Sequence, residues 1–275
     1  MPDDVYARAR RIARLIKPLR VKPGARVDLA RDYDPRYKAG VTRKKEGVEI
    51  LQAGKELLAE YQARLAAQER YGVLMCLQSL DAGGKDGTVR HVMSGVNPQG
   101  VHVSSFQVPS AEELNHDYLW RCNARLPARG EIAIFNRSHY EEVLVLRVHP
   151  ESLERERLPE DCTGKGIWQR RYAEINDWER YLAGNGIRVL KLFLNLSKEE
   201  QRVRFQAHRP AGEELEVLGR RRQGAPVLGR LPASVLADAV GHEYAVGALV
   251  CDTGGPQVVR QTMRGRGARA HAHRA

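Results

Sequence analysis

Four apolar runs of strand length set the possible architecture: GVLMCLQSL (72–80), VHVSSFQV (101–108), EIAIF (131–135) and IRVLKLFLNL (187–196). The first is almost continuously apolar, the form of a parallel strand buried on both faces. Between the runs lie helical signals. Val48, Leu51, Leu57, Leu58, Tyr61 and Leu65 fall near helical spacing and predict a long amphipathic helix over 44–70. A helix resumes in TVRHVMSGV after the first strand, and another is expected over 167–183. Ser110 with Glu113, and Ser197 with Glu200, have the spacing of capping boxes and predict two more helix starts. Strand–helix alternation of this kind argues for an α/β fold, a parallel sheet with helices on both faces. Such sheets bind ligands at the carboxyl ends of their strands. The polar clusters at 81–88, 136–142 and 197–204 all follow strands and are expected to meet in one site. Residues 1–43 show no sustained period and read as an arm with short helices.

The 275 residues suffice for one large α/β domain or two small ones, and 42% hydrophobic with 29% charged residues is ordinary for a soluble globular protein. No apolar run approaches the ~18–20 residues needed to span a membrane, and the charged start, MPDDVYARARRIARLIKP, lacks the apolar core of a signal peptide. Cys76, Cys122, Cys162 and Cys251 have no CxxC spacing, so neither a zinc site nor a disulfide scaffold is expected, and a reducing cytoplasm is the default. The net charge of +11 points to a polyanionic partner: nucleic acid, nucleotide phosphates or another phosphate polymer. The 17 aromatic residues include no clustered stacking platform, which argues against nucleic acid.

LDAGGKDGT (80–88) resembles a phosphate-binding loop but departs from G-x-x-x-x-G-K-[ST] at two positions. Ser79 stands where the first Gly belongs, and Asp86 where the Mg²⁺-binding Ser or Thr should follow Lys85. Gly83, Gly84 and Gly87 let backbone N–H groups turn toward an anion. The following helix offers its positive end, with Thr88 in its first turn. Lys85 supplies a point charge and Arg90 a second cation. Asp81 beside phosphate makes sense if a hard cation such as Mg²⁺ is included, Asp81 replacing the missing Ser or Thr. After the EIAIF strand, Asn136 and Arg137 sit where an acidic-type group and a transition-state cation serve phosphoryl transfer. Glu141 or Glu142 is placed to accept a metal-bound water, with Glu141 the expected partner of Asp81 at the metal. Arg202 and Arg204 suit a cationic lid, although a solvated helix face with i,i+4 pairs explains them equally well. His91, His102, His116 and His139 have no metal spacing and read as structural or surface residues.

These motifs carry a resemblance. LDAGGKDGTVRHVMSGVNPQGV, PSAEELNHDYLWR, IFNRSHYEEVLVLRVH and SKEEQRVRF resemble, in order, the polyphosphate kinase 2 family, from roughly residue 30 to 207. The IFNRSHYE form, with Asn136, resembles the subgroup that phosphorylates nucleoside mono- and diphosphates. The resemblance implies a three-layer α/β/α P-loop kinase fold with a helical lid, over 44–207. It also implies Mg²⁺-dependent phosphoryl transfer between inorganic polyphosphate and a nucleotide, and a homo-oligomer. Carried over by position, the Walker-A Asp and Lys fall on Asp81 and Lys85, the second-strand pair on Asn136 and Arg137, and a lid Arg on Arg204. Gln107 stands where a Lys reaching toward phosphate is expected. An ATP-dependent nucleoside monophosphate kinase and a basic nucleic-acid-binding or polyphosphate-binding protein without activity are the rival readings.

From His208 the family pattern stops. The last 68 residues hold one aromatic, Tyr244, no Lys, and 31 Gly, Ala or Arg. Codons for Gly247 to Asp252, read one base later, permit A-P-W-Y-V-I. The same shift over 240–260 permits SATSTPWAPWYVIPADHKWFA, which resembles the family's missing C-terminal segment, and over 213–217 it permits K-N-W-K-F, resembling the lid motif. Both stretches fit one shifted frame, which points to a frameshift near His208. The tail as written is expected to be poorly ordered and the chain weakly active or inactive.

Overall fold

In the computed structural model, residues 2–21, 25 and 27–207 are described, together with the backbone of 245–246 and 251–252. The first apolar run forms β1 (Gly72–Ser79). It lies between β3 (Ile132–Asn136) and β4 (Ile187–Leu194), parallel to both, with Leu77 opposite Asn136 and Leu192. β2 (Val101–Ser105) adds to the far side of β3, giving the order β2-β3-β1-β4. β5 (Ala245–Val246) pairs parallel, and β6 (Cys251–Asp252) antiparallel, with β4. Consecutive strands β1 and β2 are separated by β3, and the chain then crosses to β4 on the other side of β1. That reversal leaves a crevice at the carboxyl ends of β1 and β3, where doubly wound sheets bind ligands.

Side-chain alternation explains why both faces are covered. Leu74 and Cys76 of β1 join Ala133, Phe135 and Val189 in one cluster, closed by Trp178 and Leu182 of α7 (Ile167–Gly184). Met75 and Leu77 face the other way, with Leu192, Leu194 and Val89 of α4 (Lys85–Val92). A third cluster brings Tyr140, Val143 and Leu144 against Tyr172, Ile175 and Phe193. Val143 and Leu144 belong to α6 (Glu141–Val148), which grows out of what reads in sequence as a polar strand end.

The arm is more structured than its sequence suggests. Pro2–Ile16 form α1, a 15-residue helix packed on α3 (Lys44–Gln68), where Arg8 reaches Glu56 (3.9 Å) and Glu60 (3.6 Å). Val21 and Val27 are buried in the Tyr140 cluster, so the segment before the short α2 (Leu29–Asp32) completes the core. The Ser110 capping box forms in both directions, Ser110 N–H to Glu113 at 2.8 Å and Glu113 N–H to the Ser110 hydroxyl at 3.2 Å. The helix it announces does not extend: only a 3₁₀ turn (Glu113–Asn115) follows, then the four-residue α5 (Trp120–Asn123). Asp117 accepts the Leu119 N–H at 2.9 Å, a local alternative to helix that starts a new turn. Ser197 caps α8 (Lys198–Ala207) through Glu200 N–H at 3.1 Å. The expected frameshift near His208 and disorder of the tail fall outside the described residues, as does the oligomeric state.

Candidate functional site

The loop after β1 is shaped by close approach. Gly83 donates its N–H to the Leu80 carbonyl (3.0 Å), and a Cβ at this glycine would collide with the Ser79 side chain and lie 2.8 Å from that carbonyl. Ala82 and Gly84 both hold left-handed backbone, φ +60° and +83°. Gly84 offers no side chain to cap α4, so the first N–H groups of that helix remain for an external acceptor. Gly87 faces open space, where an added Cβ would meet nothing within 4 Å.

Lys85 curls back over the loop and donates to the Ser79 hydroxyl at 2.9 Å, while that hydroxyl donates to the Leu80 carbonyl at 2.8 Å. Ser79, one of the two residues that spoil the ordinary phosphate-loop pattern, is therefore the one that seats the lysine. Burial lowers the Lys85 pKa, against the pull of Glu141, with Arg137 adding to the decrease. Burial likewise raises that of Glu141, offset in part by Arg137, the Gln78 amide and Lys85, while Asp81 pushes it further up. These mutual effects place Asp81, Lys85, Arg137 and Glu141 in one small volume. Glu142 points elsewhere: Arg121 donates to it at 2.8 Å, and Arg171 stands 3.6 Å away. Of the two glutamates left open by the sequence, only Glu141 joins the cluster.

Asn136 ends β3 opposite Leu77, and its amide donates to the Asp86 carboxylate. Arg137 follows in left-handed backbone (φ +63°), uncommon for a bulky residue. Its N–H is pinned to the Leu77 carbonyl at 3.1 Å. Three buried side-chain oxygens at this end of the sheet have no hydrogen-bond partner: Gln78 Oε1, Asn136 Oδ1 and Glu141 Oε1.

From the lid side, Gln201 donates to the Asp81 carbonyl (2.8 Å) and Arg204 to the Ala82 and Gly83 carbonyls (3.4 and 3.3 Å), docking α8 on the loop. Arg204 also donates to Glu200 at 2.8 Å, so it is both a lid cation and half of an i,i+4 pair. Arg202 is not brought in. It pairs with Glu199 at 2.7 Å on an exposed face. Thr88 turns its hydroxyl back to the Gly84 carbonyl (3.0 Å), and Arg90 is exposed in the last turn of α4. Gln78, Ser79 and Gln201 escape sequence reasoning because neutral residues bring no charge pattern. Only the Ser79 mismatch marked the place.

Among the described residues no group of three His, Cys, Asp or Glu converges as a metal cage. Two carboxylates with unpartnered buried oxygens beside them suit a cation that takes only one or two carboxylates and fills its remaining positions with water and phosphate, as Mg²⁺ does.

The comparisons agree with this geometry. The family profile described as Polyphosphate kinase 2 matches residues 41–212. The chain is 48% identical over 195 residues to an ADP-polyphosphate phosphotransferase of Rhodopseudomonas palustris, covering 70% of this chain and 66% of that protein. It is 45% identical over 195 residues to an AMP/ADP-polyphosphate phosphotransferase of Meiothermus ruber, covering 70% and 67%. The match thus spans about two thirds of these relatives' length. The crystal structure of Polyphosphate Kinase 2 from Arthrobacter aurescens superposes with a TM-score of 0.69 at 31% identity, over 85% of this chain and 81% of that one. A family match across most of the chain, collinear with a loop, strand end and lid that meet in space, establishes that this chain belongs to the polyphosphate kinase 2 family.

Proposed function

We propose that the chain moves a terminal phosphoryl group between inorganic polyphosphate and a nucleoside mono- or diphosphate. The observation that carries this is the meeting of Lys85, Arg137 and Arg204 with Asp81 and Glu141 at the carboxyl ends of β1 and β3. Both substrates are polyanions, so the main barrier to their approach is mutual repulsion. Phosphoryl transfer asks little covalent work of a protein, and positioning with charge neutralisation supplies the catalysis. Lys85 and the first N–H groups of α4 hold phosphate oxygens, and Arg137, fixed by its backbone, offsets charge on the transferred group. Arg204 closes from the lid and excludes water. Asp81 and Glu141 hold Mg²⁺, which when bound neutralises phosphate oxygens as a Lewis acid. The relatives named as AMP/ADP- and ADP-polyphosphate phosphotransferases support this choice of substrates. The net charge of +11 suits a long phosphate polymer, and no described helix is long and apolar enough to cross a membrane. A reducing cytoplasm, where nucleotides and polyphosphate are both found, is the proposed setting.

The test is ATP formation from ADP or AMP with polyphosphate and Mg²⁺, read by a coupled light assay. Polyphosphate-dependent ATP that disappears in EDTA is expected. Transfer that requires ATP as donor and ignores polyphosphate would replace this reading with that of a nucleoside monophosphate kinase.

A further inference from the structure

The turn joining β3 to α6 alternates in direction. Asn136, Arg137 and Glu141 serve the site, while Ser138, His139 and Tyr140 point inward and are wholly buried. Beneath them lies an ionic cluster that phosphoryl transfer does not use. Glu179 of α7 accepts from the Tyr140 hydroxyl (2.9 Å) and from His139 Nε2 (3.2 Å) on one oxygen, and from Lys191 Nζ of β4 (2.7 Å) on the other. Lys191 also donates to the Tyr140 hydroxyl at 3.1 Å. All four residues are at most 5% exposed. With its proton on Nε2, His139 donates to the same Glu179 oxygen as the Tyr140 hydroxyl, so each of these hydrogens has an acceptor; burial lowers the His139 pKa, against the pull of Glu179. Ser138 adds a second anchor, accepting from Gln78 of β1 at 3.1 Å.

A buried ion pair is weak evidence for stability, because well-packed apolar residues in its place are often neutral or better. Here the pair has a geometric consequence: it ties two consecutive residues of one turn to α7 and to β4. The residue just before them, Ser138, follows Arg137 in its strained left-handed backbone, a conformation that persists only when the surroundings over-determine it.

We infer that Glu179 and Lys191 are positioning residues: through Tyr140 and His139 they lock the 137–141 turn so that Arg137 and Glu141 face the phosphates. This rests on the function proposed above for those two side chains. The experiment combines Lys191→Met with Glu179→Gln, which removes both charges together, and uses Tyr140→Phe as a milder second variant that cuts the Tyr140 link to the turn and keeps the His139 one. Hydrogen–deuterium exchange over 137–141, the thermal midpoint, and kcat and KM with polyphosphate and ADP are measured. The expected result is exchange in the turn at least tenfold faster with the midpoint little changed. With it, kcat should fall tenfold or more while both KM values stay within about twofold. A purely structural pair would lower the midpoint and leave the turn's relative protection and kcat alone. If the combined variant unfolds, Tyr140→Phe decides by the same readouts. Wild-type exchange and wild-type kcat in a folded variant overturn the inference. If the wild-type chain itself shows no polyphosphate-dependent transfer, the functional reading fails, and the exchange comparison still decides whether the cluster locks the turn.

Discussion

At Arg137 a bulky side chain sits on backbone with φ +63°, where glycine is the unstrained choice. Removing the side chain in two ways separates its chemistry from its strain. Arg137→Ala and Arg137→Gly should both lose about 10²–10³-fold in kcat, the usual scale for a lost transition-state charge contact. Arg137→Gly should be the more stable of the two by about 1 kcal/mol, seen as a higher thermal midpoint. The glycines of the loop divide the same way. Gly83→Ala forces a methyl against Ser79 and the Leu80 carbonyl, so the loop must shift and the seat of Lys85 with it. A loss of about 1–3 kcal/mol is expected, together with most activity. Gly87→Ala meets open space inside α4 and should hold or raise stability by up to about 1 kcal/mol. Equal effects of the two alanines would contradict this account of the loop. The sequence displayed the loop's chemistry through Lys85 and Asp81. It could not say which glycine is sterically required, because that depends on how near Ser79 comes.

At the scale of elements, α7 and β4 are joined by the Glu179–Lys191 pair. Burial by itself would raise the Glu179 pKa, but Lys191 and His139 bring it down to about 2. A carboxylate held below its unfolded value adds stability that is complete above the unfolded value, near 4.5, and is lost as pH falls through the folded one. Thermal midpoints should therefore drop between about pH 4.5 and 2, and this acid limb should flatten in the combined Lys191→Met and Glu179→Gln variant. The lid helix α8 rests on a different device, the Ser197 cap. Ser197→Ala should cost about 1 kcal/mol of local helix stability. Hydrogen exchange in 198–204 should rise, with KM for polyphosphate increasing more than kcat falls. Both capping boxes were visible in sequence, yet only Ser197 opens a helix of length. After Ser110, Asp117 offers the backbone a competing turn, an outcome that spacing alone does not reveal.

For the whole molecule, the +11 charge and the long anionic polymer proposed as substrate predict a KM for polyphosphate that climbs with salt. A flat salt dependence would argue against a basic track for the polymer. The chain as written should also turn over more slowly than one whose frame is restored after His208, since the shifted frame permits lid-like and C-terminal family motifs; equal rates would remove the frameshift from the explanation. By itself the sequence determined the α/β class, the phosphate loop and the family, because these depend on local signals: an apolar strand, glycines at fixed spacing, a lysine at a helix start. Only the tertiary structure decided that Glu142 is drawn away to Arg121 and that Arg204 docks while Arg202 stays in solvent. It also decided that a buried ion pair stands beneath the catalytic turn. Neighbours one or two apart on a helix point to different surroundings, and which of them meets the loop is fixed by how helices pack on the sheet, information carried by contacts between residues distant in sequence.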